Sequence, residues 1–226
     1  RTSTAEHMAY LRAEVDKVLA ATGAGQVVLM GNSRGGNAIR NYIQNGGGDK
    51  LVSHAILGGT PNHGVWSLKG FREANEFAGT GPFLTALNAP KNAAGDEVTG
   101  PVQWLTIRSD NNDKFAQPDG LWIGMAGKPT GVTFAGPELK GAMNIVIPRI
   151  DHRETSFSPA AFDAAYRFIT GQPPKAAGKD FPIRIEKGSA NEGVDISIGK
   201  DGIHITPKAG AAKAPESVAS AAEAAA

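Results

Sequence analysis

The stretch that decides the fold is QVVLMGNSRGGNAIRNYI, residues 26–43. Its first half, Gln26 to Met30, is a continuously apolar, β-branched run bounded by glycines, the pattern of a strand buried on both faces of a parallel sheet. After Gly31 the period changes at once. Ala38, Ile39, Tyr42 and Ile43 recur at helical spacing, and the Gly46-Gly47-Gly48 run ends that helix. Between the two lies Gly31-Asn32-Ser33-Arg34-Gly35-Gly36, which contains G-x-S-x-G with a strand before it and a helix after it. A strand that turns straight into a helix forces the serine into a strained backbone conformation. Glycines two residues to either side let the chains approach without Cβ clashes. The hydroxyl then projects from the C-terminal edge of the strand, where the amide of Arg34 is aimed at an oxyanion formed if Ser33 attacks a carbonyl. The alternatives are a Gly-rich strand-to-helix turn without chemistry and a phosphate-binding loop; the second lacks the Lys and Ser/Thr that close a P-loop.

Outward from this turn the alternation repeats. Residues 5–21 form an amphipathic helix with Met8, Leu11, Val15, Val18 and Leu19 on one face. Leu51 to Leu57 is a second strand, Val102 to Arg108 a third and Asn144 to Ile150 a fourth. Ala160 to Ile169 is a helix. Strands alternating with helices predict an α/β fold with a mostly parallel sheet. Residues 65–100 are rich in Gly, Asn and Pro and long enough to be a cap or lid. The core is therefore expected over 1–172. A linker and small antiparallel β unit follow over 173–206, with short strands around Phe181 to Ile185, Val194 to Ile198 and Ile203 to Ile205. A low-complexity Ala/Lys/Glu tail fills 207–226.

Composition narrows the function classes. In 226 residues, 23 Lys+Arg stand against 22 Asp+Glu, and a net charge of +1 advertises no nucleic-acid or anionic-membrane surface. The absence of cysteine removes disulfide scaffolds, thiol chemistry and Cys-ligated zinc. No run of 18 apolar residues offers a transmembrane helix. Arg1-Thr2-Ser3-Thr4-Ala5-Glu6 has no apolar h-region.

A nucleophilic serine needs a base, and the base an orienting acid. His152 follows the fourth strand and precedes the last helix, on the edge that presents Ser33. His63, just after the second strand, is its competitor. His7, His54 and His204 read as structural or surface residues. For the acid, Asp110 and Asp113 both follow the third strand, although Asp and Asn also cluster in turns for local hydrogen-bonding reasons. A calcium ion near Asp110, Asp113 and Asp119 is an alternative use of that turn. Otherwise no cofactor is expected.

Taken together these motifs resemble an α/β-hydrolase of the bacterial lipase and esterase type. The elbow GNSRGG resembles the family's G-x-S-x-G-G, and His54 to Gly64 is similar to the segment ending G-T-P-x-x-G. Gly81 to Asn88 resembles S-x-F-L-x-x-L-N, and Ser109 to Pro118 is similar to S-x-x-D-x-x-V-x-P, which favours Asp113 over Asp110. Asp151-His152 stands where the family has its catalytic histidine, often preceded by Gly. The resemblance covers about residues 5–172 and implies a Ser33, Asp113, His152 triad in the family's chain order, with the Arg34 amide as oxyanion donor. It implies carboxylic ester hydrolysis through an acyl-enzyme. His63, Val65, Trp66, Phe71, Phe83 and Leu84 would then line an apolar substrate site, or the aromatic and aliphatic ones among them form ordinary core under a long loop. A polyester depolymerase, acyltransferase or amidase on the same triad is the rival within enzymes; a non-catalytic binding or scaffold protein is the rival outside them. The expected partner is a small or polymeric ester, and the expected location secreted or periplasmic. In the family several strands precede the elbow and one loop among them gives the second oxyanion donor, whereas about 25 residues precede it here. The expectation is an N-terminally incomplete hydrolase domain, poorly active alone.

Overall fold

The computed structural model describes residues 3–65, 72–110 and 137–174, together with the backbone of three strands at 184–185, 194–199 and 202–207. Helix α1 (Thr4–Thr22) opens with a capping box, in which Ser3 accepts from the Glu6 amide and the Glu6 carboxylate accepts from the Ser3 amide. It stops at Gly23, which is left-handed at φ 69°. Strand β1 (Val27–Asn32) leads into α2 (Arg34–Asn45), and β2 (Val52–Gly58) follows, with all seven of its residues buried. The short α3 (Pro82–Leu87) precedes β3 (Gln103–Arg108) and β4 (Met143–Val146). Two further helices, α4 (Glu154–Phe157) and α5 (Pro159–Thr170), come next.

The strands β1, β2, β3 and β4 are hydrogen-bonded side by side in sequence order and all run parallel. The chain is thus α/β with a mostly parallel sheet, covered by helices on both faces. Alternate residues of each strand supply the two faces. Val28, Ile56, Leu105, Ile107, Met143 and Ile145 pack under α5 through Ala161, Ala164, Ala165 and Phe168. On the other face Val27, Ala55, Leu57 and Trp104 meet Ile39, Tyr42 and Ile43 of α2 and Val15 of α1. Burying one such aliphatic side chain is worth about 1.5–3 kcal/mol.

Two expectations change. The fourth strand ends at Val146, short of the expected Ile150, because Pro148 lacks an N–H for the ladder and Arg149 turns to φ 64°. The expected three-stranded C-terminal unit also divides. Its first strand, β5 (Arg184–Ile185), joins the main sheet antiparallel to β4, with Ile145 opposite Ile185. Only β6 (Val194–Gly199) and β7 (Gly202–Pro207) form a separate antiparallel hairpin.

Candidate active site

Ser33 sits between the last residue of β1 and the first of α2, at φ 53° and ψ −124°. A residue with a Cβ occupies this region at a cost of about 1–3 kcal/mol. The surroundings hold it there. The Ser33 amide donates to the Gly58 carbonyl at 2.8 Å, and the Gly36 amide donates to the Ser33 carbonyl at 3.0 Å. The Ser33 hydroxyl makes no capping bond to the helix it precedes. Of the elbow glycines, Gly31 is needed because a Cβ there would lie 2.7 Å from Ile39 Cδ1 and 2.8 Å from the Gly35 carbonyl carbon. Gly36 is needed because a Cβ there would overlap Thr60 Oγ1 at 2.0 Å. A Cβ on Gly35 would meet nothing within 4 Å, so on the helix side the crowded glycine is Gly36, the one after the five-residue motif.

His152 is buried and lies on the loop between β4 and α4. Its position is fixed from the elbow side. Asn32, the residue before Ser33, donates its Nδ2 to the His152 carbonyl at 3.0 Å, to the Gly58 carbonyl at 3.1 Å and to Thr155 Oγ1 at 3.2 Å. Thr155 Oγ1 donates to the same His152 carbonyl at 2.7 Å. The end of β2 clears this loop by almost nothing. A Cβ on Gly58 would lie 2.3 Å from Ser156 Oγ and 2.8 Å from the Thr155 carbonyl oxygen; one on Gly59, at φ 57°, would lie 3.0 Å from His152 Nδ1. Ser33 and His152 are therefore both seated on the Gly58–Gly59 corner, one through its amide and one against its α-carbon.

The loops after β3 and β4 are tied to each other as well. Ser109 Oγ donates to the Ile150 carbonyl at 2.6 Å, and the Arg149 amide donates to Asp110 Oδ1 at 3.0 Å. Asp110 therefore braces the loop that carries His152. Asp113 and Asp119 lie outside the described residues, as do Trp66 and Phe71. Among the described residues no group of three or more His, Asp or Glu side chains gathers as a metal site.

The other candidates fall into different surroundings. The His63 imidazole is bonded to the Glu97 carboxylate, Nε2 lying 2.8 Å from Oε1 and 3.0 Å from Oε2. Burial raises the Glu97 pKa, but the bond and charge of His63, the Lys140 amide and the charge of Arg40 together hold it below its ordinary value. Arg40, fully buried, donates to Asn62 Oδ1 at 3.3 Å and to the Leu87 carbonyl at 3.2 Å, and burial lowers its pKa to about 10. This network anchors the loop after β2 to the 87–98 segment. Leu84 is wholly buried, while Phe83 lies partly exposed near Arg34. His54 is buried in β2 with its ring edge-on to Phe168 at 5.4 Å, and burial pushes its pKa down to about 4.

Sequence reasoning missed Asn32 and Glu76. The Glu76 carboxylate takes Arg34 Nη2 at 2.6 Å and also accepts from the Thr4 amide and hydroxyl. Neither has a signal in local pattern, because their partners are far away along the chain.

No family model matches this chain, and no curated protein matches it. A solved structure from Listeria innocua, the product of the gene lin2722, aligns with 78% of this chain and 70% of its own length. The sequence identity is 18% and the TM-score 0.47. Among the described residues no helix is long and apolar enough to cross a membrane.

Proposed function

We propose that the chain is a serine hydrolase of the α/β-hydrolase type that cleaves carboxylic esters through an acyl-enzyme. The observation that carries this reading is Ser33. It holds a costly backbone conformation with its hydroxyl unused as a cap, on the same glycine corner that seats His152. Strain of this kind is kept where a side chain must be presented.

In the proposed reaction Ser33 Oγ attacks the ester carbonyl carbon while His152 takes its proton. The tetrahedral oxyanion forms beside the start of α2, where the Arg34 amide and the positive end of the helix lower its energy. His152 then protonates the departing alcohol. A water, deprotonated by the same imidazole, releases the acid and restores Ser33. Asp113 is assigned the orienting carboxylate by resemblance to the family. The Asn32 bond to the His152 carbonyl makes Asn32 a positioning residue for the base.

A fluorophosphonate probe tests the reading on the full chain, at a concentration and time that would still label an enzyme slowed about a hundredfold or more by the lack of a second oxyanion donor. Covalent labelling that disappears in Ser33→Ala is expected, with ester turnover falling at least about a thousandfold in His152→Ala. His63→Ala should lose less than about tenfold. Absence of labelling in folded protein removes the esterase and its acyl-transfer relatives together and leaves the non-catalytic alternative.

A further inference from the structure

Among the described residues other than glycine, Ser33, Arg72 and Arg149 hold a positive φ. Arg149, at φ 64°, stands where a Cβ crowds the backbone and glycine is preferred. Its side chain is exposed, so side-chain packing does not account for the strain. The main chain does. The Ile147 amide makes the last ladder bond, donating to the Arg108 carbonyl at 2.8 Å, and Pro148 has no N–H to give. The Arg149 amide is thus the first donor past the sheet, and Asp110 Oδ1 accepts it at 3.0 Å. A carboxylate that accepts a main-chain amide makes a charge-assisted bond, stronger than a neutral one, and so offsets the strain of the turn.

The residues between this turn and His152 are each tied down separately. The Ile150 carbonyl accepts from Ser109 Oγ, the Asp151 amide donates to Glu154 Oε2, and the His152 carbonyl accepts from Asn32 and Thr155. These bonds keep the loop on the fold, but they all lie beyond the Arg149 α-carbon. Without an acceptor for its amide, Arg149 relaxes away from the left-handed region, and the stretch that follows is pulled off its seat without unfolding.

We propose that Asp110 is a positioning residue for His152: its oxygen holds Arg149 in the left-handed turn and so keeps the imidazole on the Gly59 corner. This rests on the serine-hydrolase reading, and in it Asp110 exchanges no proton with His152. The role needs an acceptor oxygen and no charge, so an amide can stand in for the carboxylate. It opposes strain at one α-carbon, so glycine at 149 makes it dispensable.

Turnover of p-nitrophenyl acetate and amide hydrogen exchange over residues 147–153 test both statements. Asp110→Ala should lower kcat about tenfold or more with KM within about twofold, and should speed exchange in the loop. Asp110→Asn should keep kcat within about threefold of the wild type, because its side-chain oxygen still accepts the amide. Asp110→Ala combined with Arg149→Gly should turn over within about threefold of Arg149→Gly alone, with slow exchange restored. If Asp110→Ala does not fold, Asp110→Asn and the double variant carry the comparison. A loss of about a thousandfold or more in Asp110→Asn overturns the proposal, because it makes the carboxylate itself the orienting acid. An undiminished kcat in Asp110→Ala overturns it too, as does a double variant no faster than Asp110→Ala. Wild-type protein that takes no fluorophosphonate removes the hydrolase reading and the proposal with it, whereas failure of the brace alone leaves that labelling intact.

Discussion

Ser33 stores strain that its own side chain does not relieve. At φ 53° and ψ −124° the Cβ is the source of the cost, so removing only the hydroxyl leaves the cost in place. Ser33→Ala should therefore unfold at nearly the wild-type urea concentration. Ser33→Gly should be more stable than Ser33→Ala by about 1 kcal/mol, the relieved strain exceeding the added freedom of the unfolded chain. Both variants should be inactive. Urea titration of the pair checks this, and a glycine variant no more stable than the alanine variant would show that the conformation is not strained. Asn32 illustrates the opposite arrangement, an unstrained residue whose amide group serves three acceptors at once.

At the scale of elements β2 does most of the organising. Its centre carries His54 in an apolar layer, and its end supplies the glycine corner of the site. The imidazole pKa falls from its ordinary 6.5 to about 4 through burial. Between these values the unfolded chain binds a proton that the folded chain refuses, so stability declines as pH falls from about 6.5 to about 4. The full decline from this residue is about 3 kcal/mol. Urea denaturation at pH 7 and pH 4.5 should show most of that loss, and His54→Gln should lack it although it is less stable at pH 7. Elements were also where the sequence was most legible. The strand and helix around Ser33 fall within two residues of the boundaries that apolar periodicity predicts, as do the first and last core helices. Local pattern carries that much because strand and helix periods are properties of neighbouring residues. It carries little about ties that close across the fold. Asn32 meets Thr155 at a separation of 123 residues and Arg34 meets Glu76 at 42, and nothing in either neighbourhood announces the partner. The end of β4 was misplaced for a related reason: Ile147 and Ile150 continue the apolar run, but Pro148 interrupts the ladder between them.

Across the whole molecule, the order β1-β2-β3-β4 places the ends of the parallel strands, and so the loops bearing Ser33, Gly59, Asp110 and His152, along one edge. The helices take the two faces, which leaves this edge to the irregular segments. The β1 side of the sheet carries no further strand among the described residues, and Met30 is 39% exposed there. An open edge of this kind is a place where chains pair with one another.

The strand order has a consequence in time as well. Each parallel strand joins the one made just before it, so the sheet can grow in the order in which the chain leaves the ribosome. The Asn32 bond to His152 spans 120 residues and cannot close until His152 has emerged. Ser33 and His152, the proposed nucleophile and base, are thus among the first and the last parts of the core to be synthesised, and the long loop between them must close before they meet. On refolding from urea, far-ultraviolet ellipticity should recover ahead of fluorophosphonate reactivity. Simultaneous recovery would mean that the glycine corner and the His152 loop form together with the sheet.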